Sequence, residues 1–560
     1  MRIFFKLFFF LSVLVSVSFS ASKDPVRAKN GMVVSADKYA SEVGVQILKQ
    51  GGNAIDAAVA VGFALAVTFP GAGNIGGGGF MVIHNSDGTN TTIDYREKAP
   101  SKAYRNMFLD QNGNFDINLS TEGWTSSGVP GSVAGLIYAL EKYGTMPIEK
   151  VIQPAIDLAE KGFPIEYHFA STLNYFHDEF SKIPSTKKIF TKENGEYQEC
   201  EIFTQKDLAE TLKLIRNNGK DGFYKGKIAK LISQQSLNLG GLISEADLEN
   251  YQPKERKPVN GTYKGYDVIS MGPSSSGGVV LIEALNILEN FDFKKNEWGS
   301  SKYIHTVSEA LKYVYADRAE FLGDEDFYSV PKKWLTSKDY AKEIFGKISD
   351  ISIPSSEIKH GINIKESDQT THYSIVDKYG NAVSTTTTIN SWFGNKIVVD
   401  GAGFFMNNEM DDFSSKPGSP NQFGLLGGEA NSIQPNKRML SAMTPTILLK
   451  DGKPFLVIGS PGGSTIITTV LQIILNVVDF NMDIQQAIDS PRFHHQWFPD
   501  QIDYEKFGFS ADVIENLKTR KQNIGNVRSL GRAEGIIVDQ TKNLIFGATD
   551  SRANGMALGY

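Results

Sequence analysis

Two threonines stand where a hairpin would bring them face to face. The run Gln369-Thr370-Thr371-His372-Tyr373-Ser374-Ile375-Val376 is followed by five turn residues, Asp377 to Asn381. Then comes Ala382-Val383-Ser384-Thr385-Thr386-Thr387-Thr388-Ile389-Asn390. Two β-rich runs around a turn containing Gly380 predict a hairpin. If Val376 pairs with Ala382, paired numbers sum to 758 and Thr370 lies opposite Thr388, with Cβ atoms about 5 Å apart. A hydroxyl is a weak nucleophile unless a base sits beside it, so the chemistry this pair could do is nucleophilic catalysis. Threonine also favours strands for its shape alone, and Thr385 to Thr387 are read in that way.

Other candidates carry less. No GxxxxGK[ST], HExxH or GxSxG is present. Ser274-Ser275-Ser276-Gly277-Gly278 is read as a turn capping a helix near Val279. His494 and His495 are neighbours, a poor arrangement for one metal, and are read as structural. Pro461-Gly462-Gly463 alone is a turn signal. In isolation Glu409 and Asp412 would be solvated charges, and Arg96 part of a structural ion pair.

The elements that must position these residues come next. The chain has 560 residues, 41% hydrophobic and 21% charged, as in an ordinary globular protein. Its 57 basic and 63 acidic residues argue against a nucleic-acid footprint. The lone Cys200 excludes an internal disulfide or a cysteine-rich zinc site. Residues 1–20 read as a secretory leader. Arg2 and Lys6 precede an apolar run too short to span a bilayer, and Ser18 and Ser20 flank a cut before Ala21. Export, most simply to the periplasm, is expected, with no membrane anchor once the leader is removed.

Ser35 is read as the cap of a helix bearing Ala40, Val43, Ile47 and Leu48, which Gly51-Gly52 stops. Asn53 caps a nearly all-apolar helix ending before Pro70, expected to be buried all round. Phe80 to Ile83 is a core strand, and another short strand precedes Tyr95-Arg96-Glu97. Residues 130–350 read as mostly helical, and 350–368 as an exposed polar linker. From Thr371 onward β-branched strands dominate.

Several stretches together resemble the γ-glutamyltranspeptidases of bacteria. They are Gln369 to Tyr373, Asn407-Asn408-Glu409-Met410-Asp411-Asp412-Phe413, Gly459-Ser460-Pro461-Gly462-Gly463-Ser464, Asp94 to Glu97, and Pro491 to His495. The resemblance runs from about residue 25 to the C-terminal region. It implies an α/β protein of the N-terminal nucleophile hydrolase type, a four-layer αββα sandwich. It also implies self-cleavage between Gln369 and Thr370. The products would be a large subunit, 21–369, and a small subunit, 370–560, that together form one αββα unit. Thr370 would be the nucleophile, its freed α-amine (ordinary pKa ~7.7–8.0) assisting proton removal. Thr388 would hydrogen-bond to that amine, and Gly462 and Gly463 would supply the oxyanion N–H groups. Asp412, Glu409 and Asn390 would take the donor's ammonium, and Arg96 and Ser441 its carboxylate. The implied donors are γ-glutamyl amides such as glutathione and glutamine, and the acceptors are water or an amine. No cofactor or metal is implied.

Two positions depart from the family pattern. A second serine after Ser441 is replaced by Ala442, which offers only its backbone N–H. A lid tyrosine that would bond to Asn390 is replaced by Phe423, in a loop from Pro417 to Gly428. Two other readings compete. A glutaryl- or cephalosporin-type acylase of the same fold would recognise an α-ammonium poorly, which Asp412 and Glu409 oppose. A solute-binding protein would not cleave itself.

Overall fold

The computed structural model describes residues 22–358, 370–416 and 428–560. The leader, Gln369 and Phe423 lie outside the described residues. Fourteen strands make two large sheets. Those before Thr370 are β1 (Val26–Ala28), β2 (Met32–Ser35), β3 (Gly78–His84), β4 (Asn90–Asp94), β5 (Lys254–Arg256), β6 (Val259–Tyr263) and β7 (Tyr266–Ser270). Those after it are β8 (Thr371–Val376), β9 (Ala382–Thr388), β10 (Thr446–Lys450), β11 (Lys453–Gly459), β12 (Glu534–Asp539), β13 (Leu544–Thr549) and β14 (Met556–Gly559). The first sheet has the order β14-β2-β8-β9-β3-β4-β5, and the second β1-β13-β12-β11-β10-β7-β6. Both sheets draw strands from both sides of Thr370, so neither stretch holds a complete sheet.

Alternation along the strands builds the layers. Side chains point to opposite faces with period two. Met32, Val34, Phe80, Val82, Ile447, Val457 and Ile536 meet in one apolar cluster between the sheets. Their neighbours Val33, Met81, Ile83, Tyr373, Ile375 and Val383 turn outward onto helices α1 (Lys38–Lys49) and α2 (Ala54–Thr68). On the far side Val268, Leu448, Leu456 and Ile458 turn onto α3 (Gly277–Leu288), α4 (Ser301–Phe321) and α5 (Thr465–Val478). The result is helix, sheet, sheet, helix: the αββα sandwich. Helix α2 is buried along its whole length, as its apolar sequence requires. Asn53 caps it by accepting from Ile55 and Asp56 N–H, and Asp56 accepts in return from Asn53 N–H at 2.8 Å.

Two sequence readings need correction. Ser35 ends β2 and bonds Ser41 Oγ at 2.7 Å; Asp37 caps α1, accepting from Ala40 N–H at 3.1 Å. The serine turn stands at the start of α3 as read: Ser276 is the N-cap residue and Ser275 Oγ accepts from Gly277 N–H at 3.2 Å, while the Ser275 and Ser276 hydroxyls donate to the Met443 and Ser441 carbonyls at 2.6 and 2.7 Å. The middle region is mostly helical, as read, and also contributes β5 and β6 at sheet edges and β7 between β6 and β10, strands of three to five residues too short to stand out among helices. Residues 352–355 are no exposed linker. Lys312 of α4 donates to Ser352 Oγ and Ile353 O at 2.7 and 2.8 Å, and Ser355 is buried.

Candidate active site

Strands β8 and β9 are central in the first sheet, and their register is the one read from the sequence. Thr371 pairs with Thr387, His372 with Thr386, and Val376 with Ala382. Continued by one residue, this register sets Thr370 opposite Thr388. Alternation sets both on the face that looks toward the second sheet, together with His372, Ser374 and Thr386. Polar groups on this face answer one another. His372 Nε2 lies 3.0 Å from Ser374 Oγ, which donates onward to the Glu534 carbonyl at 3.1 Å. That fixes the proton on Nε2 and leaves Nδ1 to accept from Thr386 Oγ1 at 2.9 Å. Burial pulls this imidazole down to about 3, so it is neutral near pH 7. Thr386 therefore does more than line the strand, as its sequence reading had it. At the strand end, Thr388 Oγ1 accepts from Asn390 N–H at 2.8 Å. Asn390 has φ +73°, which asparagine tolerates, and its side chain donates to Asn408 O at 2.9 Å.

Asn408 leads into a buried charge cluster. Asn407 Oδ1 accepts from the N–H of Glu409 at 3.1 Å. Both arms of the Arg96 guanidinium are taken, one by Glu409 and one by Asp412. Arg96 Nε donates to Met439 O at 3.3 Å, two residues before Ser441. Glu97 completes the cluster, 3.6 Å from Arg96, with neither oxygen hydrogen-bonded among the described residues. Burial raises all three carboxyls, Glu97 up to about 7, while Arg96 pulls them down. Three ionised carboxyls against one guanidinium would sum to a charge of −2, an excess that each retained proton reduces by one.

Ser441 is joined to the same cluster. Its N–H donates to Ser274 O at 3.0 Å, and its carbonyl accepts from Ser276, whose hydroxyl also takes Arg318 Nε at 2.9 Å. The Arg318 charge in turn acts on Asp412. Ala442 is buried beside it with no hydroxyl to offer. Gly462 and Gly463 have φ of +132° and +53° in the loop from β11 into α5. A Cβ on Gly462 would meet Thr465 Oγ1 at 2.4 Å, so this loop shape needs glycine. No acceptor takes the N–H of either glycine among the described residues, which leaves two donors at a helix N-terminus.

The sequence-derived residues thus fall into connected groups. Arg96, Glu409 and Asp412 form one, Thr388 and Asn390 join it through Asn408, and Ser441 joins through Arg318. Thr370 also lines a separate cavity of about 430 Å³, with Pro461, Trp392, Phe69 and Glu534 in its wall. None of Arg96, Asn390, Glu409, Asp412 and Ser441 lines that cavity.

The profile described as gamma-glutamyltranspeptidase matches residues 40–560. The chain belongs to the gamma-glutamyltranspeptidase family. It is 50% identical over 551 residues to the glutathione hydrolase proenzyme of Escherichia coli K12, covering 97% of this chain and 95% of that one. The gamma-glutamyltranspeptidase of Helicobacter pylori is 48% identical, with a TM-score of 0.57, over 62% of this chain and 97% of that chain. A cephalosporin acylase from Bacillus halodurans shares the sandwich throughout, with a TM-score of 0.86 at 27% identity and 97% and 98% coverage. The fold is that of the N-terminal nucleophile hydrolases.

For a member of the gamma-glutamyltranspeptidase family, the sequence reading left several site neighbours without a role. Glu97 stands in the same motif as Arg96, a signal that was available. Arg318 sits on a helix that buries Glu309, Lys312 and Asp317 as well, an unusual charge load for a core helix. Glu534 gave no local signal. His494 and His495 are buried in hydrogen bonds, His494 with Thr468 at 2.9 Å and Gln496 at 2.7 Å. Among the described residues no group of three His, Cys, Asp or Glu is placed to hold a metal, and no helix is long and apolar enough to cross a membrane.

Proposed function

We propose that the chain cuts itself between Gln369 and Thr370 and then transfers γ-glutamyl groups, with glutathione and glutamine among its donors. The observation that supports this reading is the Thr371–Thr387 register of a central hairpin, which, continued by one residue, would bring Thr370 opposite Thr388. Cleavage would free the Thr370 α-amine, which accepts the hydroxyl proton as Oγ attacks the γ-carbonyl. Gly462 and Gly463 N–H groups would hold the resulting oxyanion, a contribution of about 2.7–4 kcal/mol per donor in comparable sites. The amine of the leaving group takes the proton and departs, leaving a γ-glutamyl ester on Thr370. Water or an amine then takes the glutamyl group.

The donor head would enter the Arg96 cluster by exchange. Its carboxylate takes the guanidinium, with Ser441 beside it, and its ammonium takes Asp412 and Glu409, with Asn390 near them. Two subunits, 21–369 and 370–560, would remain joined through shared sheets. The leader-like segment supports export.

The test compares γ-glutamyl- and glutaryl-p-nitroanilide on the cut protein. The reading expects the γ-glutamyl compound to be used at least about tenfold better, since a charged hydrogen bond to the α-ammonium is worth ~1.5–3 kcal/mol. Preference for the glutaryl compound would favour the acylase reading, to which the structural likeness to a cephalosporin acylase gives substance.

A further inference from the structure

The cavity beside Thr370 carries one carboxyl and one guanidinium that the protein itself leaves unanswered. Its other acids and its second arginine are engaged. Asp37 caps α1, Glu166 pairs with Lys38 at 2.8 Å, and Arg552 donates to Glu505 and Asp550 at 2.6 and 2.9 Å. Glu534 differs. It is 1% exposed, it lines the cavity, and its Oε2 has no hydrogen-bond partner among the described residues. Burial and the nearby Asp550 push its carboxyl well above the ordinary range. Arg532, two residues earlier, has no carboxylate within salt-bridge distance among the described residues. Its guanidinium lies over Trp392, 5.8 Å from the ring centroid. Its N–H donates to Ser460 Oγ at 3.0 Å, which ties it to the loop carrying Gly462 and Gly463.

The rest of the wall is aromatic. Phe69 packs edge-on to Trp392 at 5.4 Å, and Phe163, Phe169 and Phe176 continue the surface. A carboxyl, a guanidinium and an aromatic trough beside a nucleophile complement one ligand chemistry: an α-amino acid with an aromatic side chain.

We propose that this cavity binds the acceptor, with Glu534 taking its ammonium, Arg532 its carboxylate and the aromatic wall its side chain. The inference rests on the γ-glutamyl transfer reading above. The approaching acceptor ammonium, with Arg532 beside it, favours the ionised form of Glu534; the ammonium then gives one proton to that carboxylate and becomes a neutral amine. Its nitrogen forms the bond to the ester carbonyl carbon, and the bond from that carbon to Thr370 Oγ breaks. The second amine proton passes to Oγ, and Glu534 releases its proton to water. The product is a γ-glutamyl amide with Thr370 regenerated.

The experiment uses cut enzyme, γ-glutamyl-p-nitroanilide as donor, and varied L-phenylalanine, glycine and L-phenylalaninamide. Wild type should reach half-maximal transfer to L-phenylalanine at a concentration about tenfold lower than to glycine. Glu534→Gln should raise the half-saturating L-phenylalanine concentration about tenfold or more, and Glu534→Asp should recover part of it. Arg532→Gln should do the same for L-phenylalanine but not for L-phenylalaninamide, which has no carboxylate. A merely structural role would lower turnover with and without acceptor alike and leave half-saturation unmoved. If Glu534→Gln stays uncut, the Arg532 pair decides. Unchanged half-saturation with donor hydrolysis intact overturns this inference alone. Absence of donor hydrolysis in the wild type overturns both it and the reading on which it rests.

Discussion

Arg96 and Arg532 stand in two regions near the same nucleophilic strand and live in opposite circumstances. Arg96 is fully buried among Glu97, Glu409 and Asp412, with both arms of its fork already held. Arg532 lies on an aromatic ring at a cavity wall, with no carboxylate in range among the described residues, beside a Glu534 whose Oε2 is equally unpartnered. The first region stabilises the empty protein, and a ligand must exchange for contacts already made. The second gains its contacts only when a ligand arrives. A buried charge whose partner is removed costs several kcal/mol, so the two regions should respond differently to the same kind of substitution.

The largest effect is expected where the two regions meet. Thr388→Ala should lower kcat of cut protein by ~10²–10⁴-fold, the range for loss of assistance to proton transfer. Thr386→Ala, whose hydroxyl holds His372, should instead lower stability by about 1–3 kcal/mol. Equal kinetic losses from the two would show that the face assignment is wrong. Next, Arg96→Met should destabilise the fold by about 3–5 kcal/mol in urea unfolding, whereas Arg532→Met should cost about 1 kcal/mol or less. Similar midpoints for these two variants would erase the contrast between the regions.

A smaller change is expected from Asp412→Ala, which keeps Arg96 paired with Glu409. The KM for γ-glutamyl donors should rise about ten- to a hundredfold. A wild-type KM would remove Asp412 from donor binding. The smallest effect concerns pH. His372 is held by burial at about 3, below its ordinary 6.5, so the unfolded chain binds its proton first as pH falls. This group's contribution to stability is present above about pH 6.5 and is lost as pH drops toward 3. His372→Gln should therefore flatten the fall in urea midpoint between pH 7 and pH 4.5. Parallel curves for the two proteins would contradict the buried neutral state.

Much of this arrangement was legible before any coordinates. The hairpin could be read because β-branched runs, a glycine turn and period-two alternation all point to one register. Helix α2 could be read because an all-apolar helix has one place to go. The layers were reached through resemblance, since strands such as Lys254–Arg256 carry too little pattern of their own and are fixed by pairing with a distant β4. In the site, charged residues could be named by motif, but their mutual pairing could not. Whether Arg96 faces solvent or Glu409 depends on residues 313 positions apart meeting in the fold. Glu534 was invisible for the same reason: its isolation is a property of its surroundings.

The proposed chemistry depends most on Thr370 becoming an N-terminus. Purified protein should be measured by intact-mass spectrometry with N-terminal sequencing of its fragments, alongside activity toward γ-glutamyl-p-nitroanilide. The predicted result is an active preparation in which one fragment begins Thr370-Thr371-His372-Tyr373 and ends at Tyr560, with Thr370→Ala both uncut and inactive. Full activity from a chain whose mass shows the Gln369–Thr370 bond intact would contradict it.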